Sequence, residues 1–201
     1  MELVEASVSG IAASQLPWKE VWVMPVGDLQ LGAQGADTDR FERHVAWGLE
    51  HGAYFLGMGD YVDVASPSNR QKLLSAGLYD SVYQHLEDQA ERRIEEFLRL
   101  VRGTEGRWLG LLEGHHYYPF RDGTTTDTRL AQQLGTSFLG SCAYVRLNFS
   151  GVGENMNCTI WCHHGAGAGR AASGALNRLQ ALMGAFEADI YLVGHDTRKV
   201  A

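Results

Sequence analysis

Short apolar runs that end in glycine and then turn polar recur along this chain, at Gly27-Asp28, Gly59-Asp60, Gly114-His115 and Gly194-His195. Six runs, residues 21–26, 54–58, 108–112, 143–149, 159–162 and 190–193, have the length and apolar content of buried strands. Between them, residues 39–51, 83–101, 127–134 and 175–186 carry helical periodicity, clearest where Ile94, Phe97, Leu98 and Val101 share one helix face. Strands alternating with helices predict an α/β protein. In α/β sheets ligands bind beyond the carboxyl ends of the strands, so the glycine-led loops are predicted to converge in space.

The rest of the composition narrows the function classes. With 201 residues, 45% hydrophobic and 20% charged, the chain is expected to form a single domain over 1–201 with one sizeable core. Its net charge of -7 lacks the positive field of an extended nucleic-acid groove, which disfavours nucleic acid as a partner. No apolar run approaches a membrane span. The first residues, MELVEASVSG, carry acids where a signal peptide needs basic residues. Cys142, Cys158 and Cys162 are odd in number and form no paired C-x-x-C sets, so they read as reduced thiols of a cytoplasmic protein.

The strand-end loops carry the chemistry. In chain order they present Asp28-Leu29-Gln30, then Gly59-Asp60-Tyr61-Val62-Asp63, then Gly114-His115-His116, then His163-His164-Gly165, then Gly194-His195-Asp196-Thr197. Carboxylates and imidazoles gathered from separate loops are what a hydrolytic metal site requires: a carboxylate can bridge two cations and imidazoles hold borderline metals. Any one of these fragments arises by chance; five in order, each closing an apolar run, do not.

Here the chain resembles the calcineurin-like metallophosphoesterases, whose pattern is D-x-H, G-D-x-x-D, G-N-H-D/E, a later H, and G-H-x-H. The resemblance covers nearly the whole chain, and GDYVD at Gly59 to Asp63 is similar to the phosphoprotein phosphatase branch, with Val64 where that branch has arginine. It implies a four-layer α/β/β/α sandwich with a dinuclear site at one edge. It places Asp28 and Gln30 at the first metal, Asp60 between both metals, and His115, His163 and His195 at the second. His163 is preferred to His164 because the strand 159–162 presents it first; His164 would then support the site or face the substrate. His116 would sit against the substrate as proton donor or phosphate partner, oriented by Asp63. Arg121 and Arg170 are candidate partners for phosphate charge.

Three positions depart from the pattern: Gln30, His115 and Thr197 replace a histidine, an asparagine and a histidine. The first metal is then left with oxygen donors, Thr197 among them at most, and the second becomes rich in imidazole. Two divalent metals are therefore expected, with Mn, Zn or Fe in the histidine-rich site and Mn or Mg held weakly in the oxygen-rich one. The implied activity is hydrolysis of a phosphate ester (monoester, diester or nucleic-acid end) by a metal-activated hydroxide. Family members continue with further strands where this chain stops, so C-terminal strands are expected to be missing or a homo-oligomer partner to cover the sheet edge.

Two rival readings stand beside this one. Loss of ligands at one site would suit a non-catalytic, single-metal module that binds phosphate or a partner. Gly167, Gly169 and Ala172 match the dinucleotide fingerprint G-x-G-x-x-A, although the acid that should end the following strand is not where that motif requires it. There is no G-x-S-x-G elbow and no P-loop.

Overall fold

A computed structural model of the chain describes residues 10–165 and 172–195. It is a mixed α/β structure built on two four-stranded sheets. The first sheet is wholly parallel and runs β2 (Val23–Gly27), β3 (Tyr54–Gly59), β4 (Trp108–Leu112), β5 (Phe138–Gly140). The second runs β1 (Gly10–Pro17), β6 (Cys142–Ser150), β7 (Asn155–His163), β8 (Ile190–Val193), with β6 and β7 antiparallel and the outer pairs parallel. The helices are α1 (Thr38–Glu50), α2 (Pro67–Ser75), α3 (Asp80–Leu100), α4 (Thr126–Gln133) and α5 (Ala172–Ala185).

The sheets pack face to face. Leu56, Met58, Leu109 and Leu112 of the parallel sheet meet Val145, Leu147, Ile160 and Cys162 of the mixed one in a single buried cluster. Strand alternation turns the neighbouring residues the other way. Phe55, Trp108 and Leu111 meet Val45 of α1, Ala90, Ile94 and Phe97 of α3, and Leu130 of α4 in a second cluster. On the far face of the mixed sheet, Trp161 stacks on Phe186, just beyond α5, with ring centroids 4.9 Å apart. No helix among the described residues is long and apolar enough to cross a membrane.

Local chemistry explains the helix starts. The Asp37 side chain accepts from the Arg40 amide at 3.0 Å to cap α1, and Thr125 and Thr128 form a reciprocal capping box on α4. Pro67 opens α2, where its missing N–H costs nothing. β1, β5 and α2 are not visible in the sequence patterns. β1 is an edge strand with the weak sequence GIAASQLP, β5 has three residues, and α2 buries none of its residues. All three cysteines are free thiols, and burial pushes Cys162 up to about 12.

A candidate metal centre

The carboxyl ends of β2, β3, β4, β7 and β8 meet at one edge of the two sheets. The loops after β2 and β3 keep pairing beyond the strands. The amides of Asp28, Gln30 and Leu31 donate to the carbonyls of Gly59, Asp60 and Tyr61 at 2.9–3.0 Å. Four non-glycine residues among those described hold a positive φ: Asp28 (54°), Gln30 (48°), Asp60 (55°) and His195 (65°). Three lie in the loops after β2 and β3, and His195 lies in the loop after β8. Left-handed backbone costs an ordinary side chain on the order of 1–3 kcal/mol, and such strain concentrates at functional sites.

Ligand atoms of Asp28, Asp60, His164 and His195, and of His115, His164 and His195, fall into two groups within which all atoms lie within 4.8 Å of one another. Both groups could hold a metal ion, and they share His164 and His195. Asp60 is 1% exposed and organises the centre. Its Oδ1 accepts from the amides of His115 (2.5 Å) and His116 (2.9 Å), so the carboxylate builds the double-histidine turn. Its Oδ2 makes no hydrogen bond and stands 3.3 Å from His164 Nε2, which also has no hydrogen-bond partner. His164 is 1% exposed, and its Nδ1 lies 2.7 Å from the Met58 carbonyl. That carbonyl takes the ring proton on Nδ1 and leaves the Nε2 lone pair facing the carboxylate. Two buried acceptors in contact repel unless a proton or a cation lies between them. His115 Nδ1 and His195 Nδ1 stand 3.4 Å apart beside them. Donors around a small divalent ion are spaced roughly 3–3.4 Å apart, so the residues fit one.

The ionisation tendencies agree with this geometry. Burial alone would raise Asp60, but His164 and the His116 amide more than reverse it, and the carboxyl lies far below its usual range. Burial would lower His164, but Asp60 outweighs it and the ring is raised. His115 is lowered, first by burial and then by its histidine neighbours, and Asp28 is raised by burial. A proton on His164 Nε2 and a metal ion between the two groups would therefore compete for one place. Divalent affinity is expected to strengthen by about tenfold or more from pH 6 to pH 8, as His164 gives up its proton. Mn titrations by calorimetry at the two pH values check this.

His164, rather than His163, enters the cluster. His163 turns to the other face of β7, where its ring stacks on Trp161 (interplanar angle 2°) and its Nδ1 accepts from the Gly165 amide at 2.7 Å. It lines the adjoining cavity instead. Gln30 stands at the cluster through its backbone, with its amide on the Asp60 carbonyl. His116 lines the cavity, its Nδ1 3.0 Å from Asp63 Oδ2 without a hydrogen bond to it. Arg121 is elsewhere: Glu87 accepts from its guanidinium and its amide, and Asp80 lies 3.7 Å away. Sequence proximity to the double histidine suggested a phosphate partner; the tertiary structure ties Arg121 to α3. Arg170, Thr197, Gly167 and Gly169 lie outside the described residues, so the third departure from the motif and the dinucleotide fingerprint are not placed.

A cavity of about 420 Å³ opens over His115, His164 and His195, walled by Arg70, Glu113 and Tyr117. A second, of about 670 Å³, reaches Asp28 past Arg40 and His44. Neither Arg70 nor Glu113 carries a motif signal that would have singled it out.

Two glycines are dictated by close approach. A Cβ on Gly59 (φ 93°) would lie 2.7 Å from His164 Nδ1, and one on Gly114 would collide with the amide and carboxylate of Asp60. Gly114→Ala is expected to displace the double-histidine turn and cost roughly 2–4 kcal/mol of stability, read from urea denaturation. Behind this turn, the Gly114 amide donates to buried Asp127 at 2.9 Å. Burial raises the Asp127 carboxyl from 3.8 to about 7, against the pull of the Gly114 amide and the Thr126 hydroxyl. The folded state therefore binds more protons than the unfolded one between those values, and stability falls as pH rises through that window. Asp127→Asn should remove this loss and gain roughly 4 kcal/mol at most over the native chain at pH 8, with little gain at pH 4, in denaturation at both pH values.

Compared with protein-family models, curated proteins and solved structures, the chain finds no match.

Proposed function

We propose that the chain is a metal-dependent phosphoesterase, a four-layer α/β/β/α sandwich of the calcineurin-like type. One observation supports this above the others: Asp60 Oδ2 and His164 Nε2 face each other 3.3 Å apart, buried and without hydrogen-bond partners, within a ring of further metal donors. Asp28, Asp60, His115, His164 and His195 would hold two divalent ions, Zn, Fe or Mn on the imidazole side and Mn or Mg more weakly toward Asp28 and Gln30. Such ions supply polarisation of a phosphoryl oxygen and activation of water for attack on phosphorus.

The chain's own residues supply the rest. Asp60 fixes the turn that carries His115 and His116 through its two amide contacts. Asp63 stands beside His116 Nδ1, so that with both ring nitrogens protonated Nε2 would be the one to give its proton to a leaving oxygen. The cavity over the histidines gives an ester group access to the cluster.

The test is metal content by mass spectrometry, with turnover of p-nitrophenyl phosphate and bis-p-nitrophenyl phosphate followed during Mn titration. Bound metal with Mn-dependent turnover supports the phosphoesterase. Bound metal without turnover would leave a phosphate- or partner-binding module, and no binding even in excess Mn would sink the metal centre. Asp63→Asn should lower kcat by about 10–100-fold with metal content unchanged, which steady-state kinetics beside metal analysis would show.

A further inference from the structure

We infer that Arg70 is a positioning residue of this centre, holding the double-histidine turn from the side opposite Asp60; the inference rests on the metal-site reading above. Arg70 lies on α2, a helix that buries none of its residues. Its side chain nevertheless crosses to the turn after β4. Nη1 donates to the His115 carbonyl at 2.8 Å and to the Tyr117 carbonyl, and the guanidinium lies over the Tyr117 ring, 4.1 Å from its centroid. The turn is thus gripped at both ends of its peptide dipoles. An anion, Asp60, takes the amides of His115 and His116, and a cation, Arg70, takes the carbonyls of His115 and Tyr117.

The arrangement has a chemical reason. His115 is a metal donor and His116 faces the cavity, so the two adjacent rings keep their divergent aims only if the backbone between them is held. Three contacts from one planar, permanently charged group do this, and the flat face on Tyr117 leaves the two Nη1 hydrogens directed at the two carbonyls. Arg70 lines the cavity with its Nη1 hydrogens on backbone carbonyls rather than free for substrate.

The experiment compares the native chain with Arg70→Lys, Arg70→Met and Arg70→Ala, the last with and without added ethylguanidinium. Three readouts are taken: hydrogen exchange of the His115 and His116 amides, Mn affinity, and kcat separately from KM for bis-p-nitrophenyl phosphate. Expected in Arg70→Met are faster exchange confined to that turn, Mn affinity and kcat each lower by about 10–100-fold, and KM within about threefold. Arg70→Lys should fall between, and ethylguanidinium should restore part of the kcat of Arg70→Ala. Unchanged exchange at the turn in Arg70→Met would overturn the inference. So would a rise spread evenly over both sheets, which marks a merely structural role, or a loss appearing only in KM, which marks a substrate contact. The exchange arm needs neither metal nor turnover. A native chain that binds no Mn would end the phosphoesterase reading while leaving the positioning question answered.

Discussion

Asp60→Asn is expected to abolish metal-dependent turnover and to weaken divalent binding by more than the 10–100-fold typical of residues that only support a ligand. The substitution keeps an oxygen able to accept from the His115 and His116 amides, so the turn can persist. What it removes is the negative charge facing His164 Nε2. Burial lowers His164 but Asp60 outweighs it and the ring is raised, so in the variant the ring should titrate lower than in the native chain. Titration of the His164 ring by NMR, beside Mn calorimetry, separates the two consequences. A variant that binds Mn as tightly as the native chain would remove Asp60 from the centre.

Phe97→Ala should cost about 3–5 kcal/mol, roughly 10 °C in melting temperature, through the cavity it leaves. Phe97 is 0% exposed, stacked on Phe41 at 5.9 Å and packed edge-on to Tyr61 at 5.6 Å. Its effect should also reach the site. Tyr61 follows Asp60, and its hydroxyl donates to the Leu112 carbonyl at 2.8 Å, tying the loop after β3 to the end of β4. Loss of the Phe97 ring loosens the packing that holds Tyr61 in that contact. Urea denaturation measures the stability loss. Val152→Ala, at a position 106% exposed, should change it by less than about 0.5 kcal/mol.

Much of the parallel sheet was legible because its strands are continuous apolar runs: β4 falls where the run 108–112 predicts it, and β3 extends the run 54–58 by one residue. β1 was not, because its sequence GIAASQLP buries only Leu16 and carries no apolar run or clear alternation. The gathering of loops at one edge followed from glycine and polar residues closing each run. The choice between His163 and His164 did not, since adjacent residues at a strand end point to opposite faces and both Trp161 and Cys162 before them are apolar. Only the packing decides it: Cys162 enters the core between the sheets, Trp161 faces Phe186, and His163 follows Trp161 by period two while His164 is drawn in to Met58 and Asp60.

Arginine placement divides the same way. Sequence distance put Arg121 near the double histidine, but a side chain of that length goes to the nearest carboxylate, and α3 offers Glu87. Arg70, more than forty residues from the turn it grips, has no local signal at all. By itself the sequence determined the α/β alternation, the strand-end loops and the residue types they bring together, because hydrophobic periodicity and glycine breaks are local properties of the chain. The tertiary structure alone decided which imidazoles face Asp60 and which arginine reaches the turn, because those depend on strand register and on contacts between residues far apart in the chain.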